Sequence, residues 1–428
     1  MHLDIRPCST LQGEVKVPGD KSISHRALIF GAIAHGVTRI DNINPGEDVG
    51  STATCLKKLG VDIRFDGRTM FVSGKDFFDL QAPTEMLDAK NSGTTMRLLT
   101  GLLAAQDFSS TITGDDSLRC RPMRRIIDPL QKMGAQIEST DGYPPLHIHG
   151  RELQGIEYEM PISSAQVKSC LLLAGLGAWG TTTIIEKEQS RDHTERMLRA
   201  MGAPIWREEN KILIRPGKLH DLDIKVPGDI SAAAFFIAAA LLVPDSGIFL
   251  PHVGINPTRT GFLDVVREMG AHLKITGEKD ICGEPVANIR TQSCELQATE
   301  IFGPRIPLLI DEIPILAVLA TQARGKTIIR DAAELRLKES DRLKLIANNL
   351  QKMGAQVEEF ADGLSIIGPT KLCGMEIDTA GDHRLAMAFT IAGLVATGAT
   401  RILQPQSVTI SDPNFYDALS QLGVNGIS

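Results

Sequence analysis

Two kinds of apolar stretch alternate along this chain, and each returns several times. The first is amphipathic: LKKLGVDIR from Leu56, LQKMGAQIE from Leu130, MLRAMGAPIW from Met197, VVREMGAHLK from Val265, LQKMGAQVEE from Leu350 and ALSQLGVNG from Ala418. In each, a helix-like run stops at Leu-Gly or Met-Gly and a β-like run follows. Glycine there fits a helix C-cap with positive φ that leads straight into a strand. Its copies are Gly60, Gly134, Gly202, Gly270, Gly354 and Gly423, separated by 74, 68, 68, 84 and 69 residues. One or two copies would be ordinary helix-stop chemistry, whereas six at near-constant spacing predict an internal repeat.

The second kind is rich in Ala and Leu: SHRALIFGAIAHGVTRI, SAQVKSCLLLAGLGAWGTTTI, PILAVLATQARGKTII and HRLAMAFTIAGLVATGATRI. These runs are apolar nearly all round and predict buried helices. Their β-branched tails predict strands. Each repeat therefore holds one buried helix, one amphipathic helix and several strands. VPGD occurs at residues 17–20 and again at 226–229, 209 positions apart, and divides the repeats three and three. The expected architecture is α/β, with two pseudo-symmetric domains of three repeats joined by two crossovers. One domain spans residues 20–228; the other is discontinuous, 1–19 with 229–428, because the last repeat needs the N-terminal segment to complete it.

Composition narrows the classes. A length of 428 residues suggests two or three domains. Aromatic residues make up only 4%, so aliphatic side chains must fill the cores. A net charge of −7 argues against a nucleic-acid binder. Seven scattered cysteines without a CxxC pair read as reduced intracellular thiols. The N-terminus has no basic region followed by an apolar run, and the most apolar segment, residues 230–243, is too short to span a bilayer. A cytoplasmic location is expected. With no HExxH, dispersed histidines and no GxGxxG, neither a metal nor a dinucleotide cofactor is expected.

Cations and short hydroxyls gather at the predicted helix starts. PGDKSISHR carries Lys21, Ser22 and Arg26, with Asp20 or Ser22 able to cap the helix. KNSGTTMR (residues 90–97) offers backbone N–H groups beside Gly93, and RCRPMRR (119–125) supplies arginines. ELRLKESDR (334–342) holds Lys338, Glu339 and Arg342, and GDHR (381–384) holds Arg384. If 338–342 is helical, Lys338 and Arg342 share a face. SSAQVKS (163–169) marks another helix start. Asp311, in PLLIDEIPIL, lies between apolar runs where burial can tune a carboxyl or where it can simply cap a helix. Taken singly, each cluster also fits a solvated, charged helix end. Taken together, equivalent helix starts in two facing domains point to one cleft and a ligand with several negative charges.

At these residues the chain resembles the 5-enolpyruvylshikimate-3-phosphate synthase family, through PGDKSISHRALI, NSGTTMRLL, CRPM, SSAQVKS, SRDHTERM, IDEIP, RLKESDRL and GDHRLAMA. The motifs run in family order from residue 18 to about 390. The resemblance implies two domains of three βαβαββ units. It also implies transfer of the enolpyruvyl group of phosphoenolpyruvate to the 5-hydroxyl of shikimate 3-phosphate, in aromatic amino-acid biosynthesis, with closure on the substrate. Carried over motif by motif, Lys21, Ser22, Arg26, Ser164, Gln166, Ser190, Asp311 and Lys338 are expected to hold shikimate 3-phosphate. Lys21, Gly93, Arg121, Gln166, Arg342 and Arg384 are expected to hold phosphoenolpyruvate. Asp311 is the expected base, Glu339 the expected acid and Lys21 a polarising cation. No cofactor is implied, and a monomer is expected because two internally symmetric halves already form the cleft.

Some positions depart from better-known members. Ile410 stands where those carry a lysine, His193 where a tyrosine is often found, Glu334 in place of an asparagine and Leu98 in place of a proline. Two other readings share part of this pattern. The sister transferase acting on UDP-N-acetylglucosamine has Lys-Asn at the first cluster and a catalytic loop cysteine several residues before the position of Cys120, whereas here Ser22 follows Lys21. A non-catalytic anion-binding repeat protein would have no use for Asp311 and Glu339 beside the cations.

Overall fold

In the computed structural model, residues 1–67 and 69–426 are described. The chain separates into two compact units, each with its own hydrophobic core. The first unit comprises Gly19–Val226 and Asp280–Glu284; the second comprises Met1–Pro18, Pro227–Lys279 and Pro285–Ser428. The short piece 280–284 belongs with the first unit for a local reason. His193 lies 2.7 Å from Glu284, and Arg196 donates to the Gly283 carbonyl at 2.8 Å.

The amphipathic runs are helices at Glu47–Lys58, Arg124–Lys132, His193–Ala200, Gly261–Glu268, Arg342–Lys352 and Phe415–Gln421. All six glycines that follow them are left-handed, with φ of 85°, 99°, 87°, 99°, 93° and 109°. In each case the next amide bonds back five residues, as from Val61 to Leu56 at 3.1 Å and from Ala135 to Leu130 at 3.0 Å. The glycine's own amide reaches the carbonyl three back, as from Gly134 to Gln131 at 3.0 Å. These are Schellman stops, and they satisfy carbonyls that a helix end would otherwise leave open.

The Ala- and Leu-rich runs form buried helices: Lys21–Ala32, Gly93–Ala104 and Ala165–Leu176 in the first unit, and Ile230–Leu242, Ile313–Gln322 and His383–Val395 in the second. Four of these six starts are capped by polar side chains. Asp20 accepts from the Ile23 amide, Ser92 from Thr95, Asp229 from Ser231 and Asp382 from Arg384. Of the two expected caps for the first helix, Asp20 is the one used.

Each first-unit repeat closes a four-stranded sheet with one parallel and two antiparallel pairings. Leu87–Asp88 runs parallel to Ser109–Thr113, which pairs antiparallel with Tyr143–His149, and that strand with Gln136–Thr140. The connection is βαβαββ. The first repeat borrows its parallel strand, Ile224–Lys225, from the far end of the unit. In the second unit, Gln12–Glu14 runs parallel to Gly247–Gly254, and His2–Ile5 pairs antiparallel with Thr400–Leu403. That last sheet has three strands, not four.

One local expectation is corrected. Residues 338–341 are not helical: a 3-10 turn covers Ala333–Leu337, Lys338 is extended, and the helix begins at Arg342. Asp341 forces the later start, because its side chain caps the Lys344 amide at 3.1 Å.

Candidate active site

The groups of the first unit lie at the N-terminal ends of its buried helices. Lys21 opens its helix, and its ammonium is 2.9 Å from Asp48, a mostly buried carboxylate in the first turn of Glu47–Lys58. The Asp48 carbonyl accepts from Ser51 and Thr95, which ties this pair to the start of Gly93–Ala104. Arg26 is one turn along and fully enclosed. It donates to Thr194 at 2.7 Å, to Ser169 at 2.7 Å and to the Ser22 carbonyl at 2.8 Å. Burial brings its guanidinium down to about 10, so it remains charged at neutral pH.

A second group surrounds Gly93. Arg97 donates to the Gln166 side-chain carbonyl at 2.7 Å, and the Gln166 amide donates to Thr94 at 3.0 Å. Arg121 is held by Asn91 at 2.8 Å and Ser117 at 3.0 Å. A methyl added at Gly93 would sit 2.6 Å from one Arg97 nitrogen and 3.5 Å from one of Arg121. Glycine therefore keeps open the space between these arginines. Ser164 is the N-cap residue of Ala165–Leu176, yet its hydroxyl does not cap the helix. Ser190 lies in a loop, buried, with its amide and hydroxyl both donated to Glu186.

The groups of the second unit meet at one arginine. Asp311, in the 3-10 turn Ile310–Glu312, lies 3.6 Å from Lys338 and 3.3 Å from Arg342. Arg342 also pairs with Glu339 at 2.6 Å and with Asp382 at 2.8 Å. Burial works against charge on this guanidinium, but Asp382, Glu339 and Asp311 outweigh it and hold the group above its usual range. The broken helix before Arg342 does not separate it from Lys338, since both reach Asp311. Arg384 is nearly buried, 3.9 Å from Glu312. Glu312 in turn accepts from Ser231 and lies 3.9 Å from Arg259.

Sequence reasoning passed over several of these groups. Arg97 closes KNSGTTMR, and its spacing from Gly93 on one helix face could have marked it. Asp382 precedes a helix start in GDHR, a capping pattern visible in the chain. Asp48 and Glu312 carry no local signal, because their partners are distant in sequence. Of the departing positions, Ile410 ends the 3-10 turn Pro405–Ile410, Glu334 lies in Ala333–Leu337, and His193 is buried at the start of its helix. Cys120 is exposed beside Arg121.

The fold is that of the enolpyruvyl transferases. The enolpyruvyl transferase NikO of Streptomyces tendae superposes with a TM-score of 0.81 over 99% of this chain and 98% of its own, at 19% identity. At closer range, the EPSP synthase of Acinetobacter baumannii superposes with a TM-score of 0.88 at 43% identity, covering 99% of this chain and 98% of its own. The 3-phosphoshikimate 1-carboxyvinyltransferase of Brevibacillus brevis is 48% identical over 423 residues, 98% of this chain and 99% of that protein. The family described as EPSP synthase (3-phosphoshikimate 1-carboxyvinyltransferase) matches residues 5–419. The chain belongs to this family. Among the described residues, no helix is long and apolar enough to cross a membrane.

Proposed function

We propose that the chain transfers the carboxyvinyl group of phosphoenolpyruvate to the 5-hydroxyl of shikimate 3-phosphate, releasing phosphate. This places it in the shikimate pathway to aromatic amino acids. The observation that carries the reading is the cluster at Arg342, where two carboxylates, Asp311 and Glu339, share one cation. In the proposed reaction Asp311 takes the proton of the 5-hydroxyl as its oxygen attacks C2 of phosphoenolpyruvate. Glu339 delivers a proton to C3, giving a tetrahedral ketal phosphate. Glu339 then removes a proton from C3 as the C2–O bond to phosphate breaks, and the vinyl group returns. Lys21 neutralises charge at the departing phosphate.

Binding follows from charge and geometry. Arg342, Arg384 and Arg121 suit the carboxylate and phosphate of phosphoenolpyruvate, with Lys21, Gln166 and the open space at Gly93. Arg26, Ser22, Ser164, Gln166 and Ser190, with Lys21, Asp311 and Lys338, suit the phosphate and hydroxyls of shikimate 3-phosphate. The protein works as a cytoplasmic monomer without a cofactor. The test is phosphate release from phosphoenolpyruvate with shikimate 3-phosphate, beside a parallel reaction with UDP-N-acetylglucosamine. Release with the first acceptor alone is expected. Asp311→Ala and Glu339→Ala are each expected to lower kcat by about 100- to 10,000-fold. Release only with the sugar nucleotide, or full activity in both variants, would sink the reading.

A further inference from the structure

The loop between strand Thr182–Ile185 and helix His193–Ala200 lies outside any regular ladder, yet Ser190 within it is held at every polar atom. Its amide donates to Glu186 Oε1 at 3.2 Å, and its hydroxyl donates to the same oxygen. Its carbonyl accepts from Lys168 Nζ at 3.3 Å. Lys168 and Glu186 pair at 3.0 Å with both side chains wholly buried, and Lys168 also pairs with Glu195 at 2.6 Å. One ion pair thus does for Ser190 what a strand or helix does for other residues.

The wider cluster is nearly charge-balanced. Two carboxylates, Glu186 and Glu195, face one ammonium, and the second cation is Arg26, whose charge Glu195 supports. Arg26 donates to Thr194 and Ser169, the sequence neighbours of Glu195 and Lys168, and these two hydroxyls bond each other at 2.6 Å. Charges buried so completely rarely stabilise a fold more than apolar residues of equal size would. Their presence beside Ser190 points to a positional task. The cluster thus bonds directly to Ser190 and, through Thr194 and Ser169, to Arg26.

We propose that Glu186 and Lys168 are positioning residues for the phosphate of shikimate 3-phosphate, fixing the place where Ser190 meets it without touching it themselves. This rests on the placing of that substrate at Ser190 and Arg26 given above. The amide–Glu186 and carbonyl–Lys168 bonds pin the backbone, and in the proposed complex the hydroxyl exchanges its bond to Glu186 for one to the arriving anion. Removing either charge lets the loop drift and weakens binding of the phosphate end alone.

The experiment measures KM for each substrate, and kcat, in Glu186→Gln, Glu186→Asp and Ser190→Ala, with circular dichroism to confirm folding. Glu186→Gln is expected to raise KM for shikimate 3-phosphate about tenfold, with KM for phosphoenolpyruvate and kcat within about twofold of the parent. Glu186→Asp keeps the buried charge but withdraws it from Ser190, and is expected to raise the same KM about threefold. It carries the test if the glutamine variant does not fold. A purely structural role would lower the melting temperature and leave this split absent, which would overturn the inference. A raised KM in Ser190→Ala with unchanged KM in both Glu186 variants would overturn it alone. An unchanged KM in Ser190→Ala would overturn the placing of the phosphate at Ser190, and the role of Glu186 with it.

Discussion

Asp412 shows how burial can make one residue pH-sensitive. It lies in the loop before helix Phe415–Gln421, almost wholly enclosed, and accepts from the Asn414 amide at 3.2 Å. Burial pushes its carboxyl up to about 7, with the charge of Asp229 adding to the rise. A group raised in the folded state helps folding fully below its unfolded value, near 3.8, and that help drains away as the pH climbs towards 7. Asp412→Asn keeps the shape without the titration. It is expected to melt above the parent at pH 8, with the difference shrinking steadily to nothing near pH 4. A gap that does not change with pH would show that Asp412 is ionised in the folded protein. Arg342 is the opposite case: it is as deeply buried, but three carboxylates hold its charge in place. Two buried ionisable groups in one unit thus differ because one has counter-charges and the other does not.

At the scale of elements, the recurring unit is a capped buried helix followed by an amphipathic helix that ends on a left-handed glycine. Gly134 isolates the conformational requirement, since a methyl there would meet nothing closer than the Glu152 carbonyl at 3.9 Å. Its φ of 99° is the obstacle. Gly134→Ala is expected to lower stability by about 1–2 kcal/mol in urea denaturation without changing KM for either substrate. An unchanged midpoint would mean that the stop tolerates a side chain. Such stops were legible in the sequence, because a helix terminator and a strand start leave a local signature in consecutive residues. The boundary before Arg342 was not, since the competing cap by Asp341 wins over a run that otherwise reads as helical. The same contrast holds for the candidate site. Asp311, Lys338, Glu339 and Arg342 were singled out one by one, but the meeting of Asp311 and Glu339 on the Arg342 guanidinium, with Lys338 on Asp311, depends on a turn and a helix start that are far apart in the chain.

At the scale of the whole molecule, each unit closes its own core, and strands from distant parts of the chain complete the sheets. His2–Ile5 and Thr400–Leu403 pair across nearly the full length. The proposed reading assigns shikimate 3-phosphate ligands to each unit, and closure on that substrate is an expectation of the family resemblance. Small-angle scattering is expected to show one 46.4 kDa chain per particle and a smaller radius of gyration at saturating shikimate 3-phosphate. An unchanged curve with ligand demonstrably bound would count against that closure. The sixfold repeat, the α/β class, the buried and amphipathic helices and the polar helix starts are all readable in the order of residues. Periodicity, caps and glycine stops act between residues within a turn or two of each other, so they can be read in order along the chain. Which charges face which is set by the folded chain: Lys21 with Asp48, Arg342 with Asp382, Lys168 with two glutamates. Buried ions select partners by distance and the loss of water, and neither quantity is written in the spacing of residues.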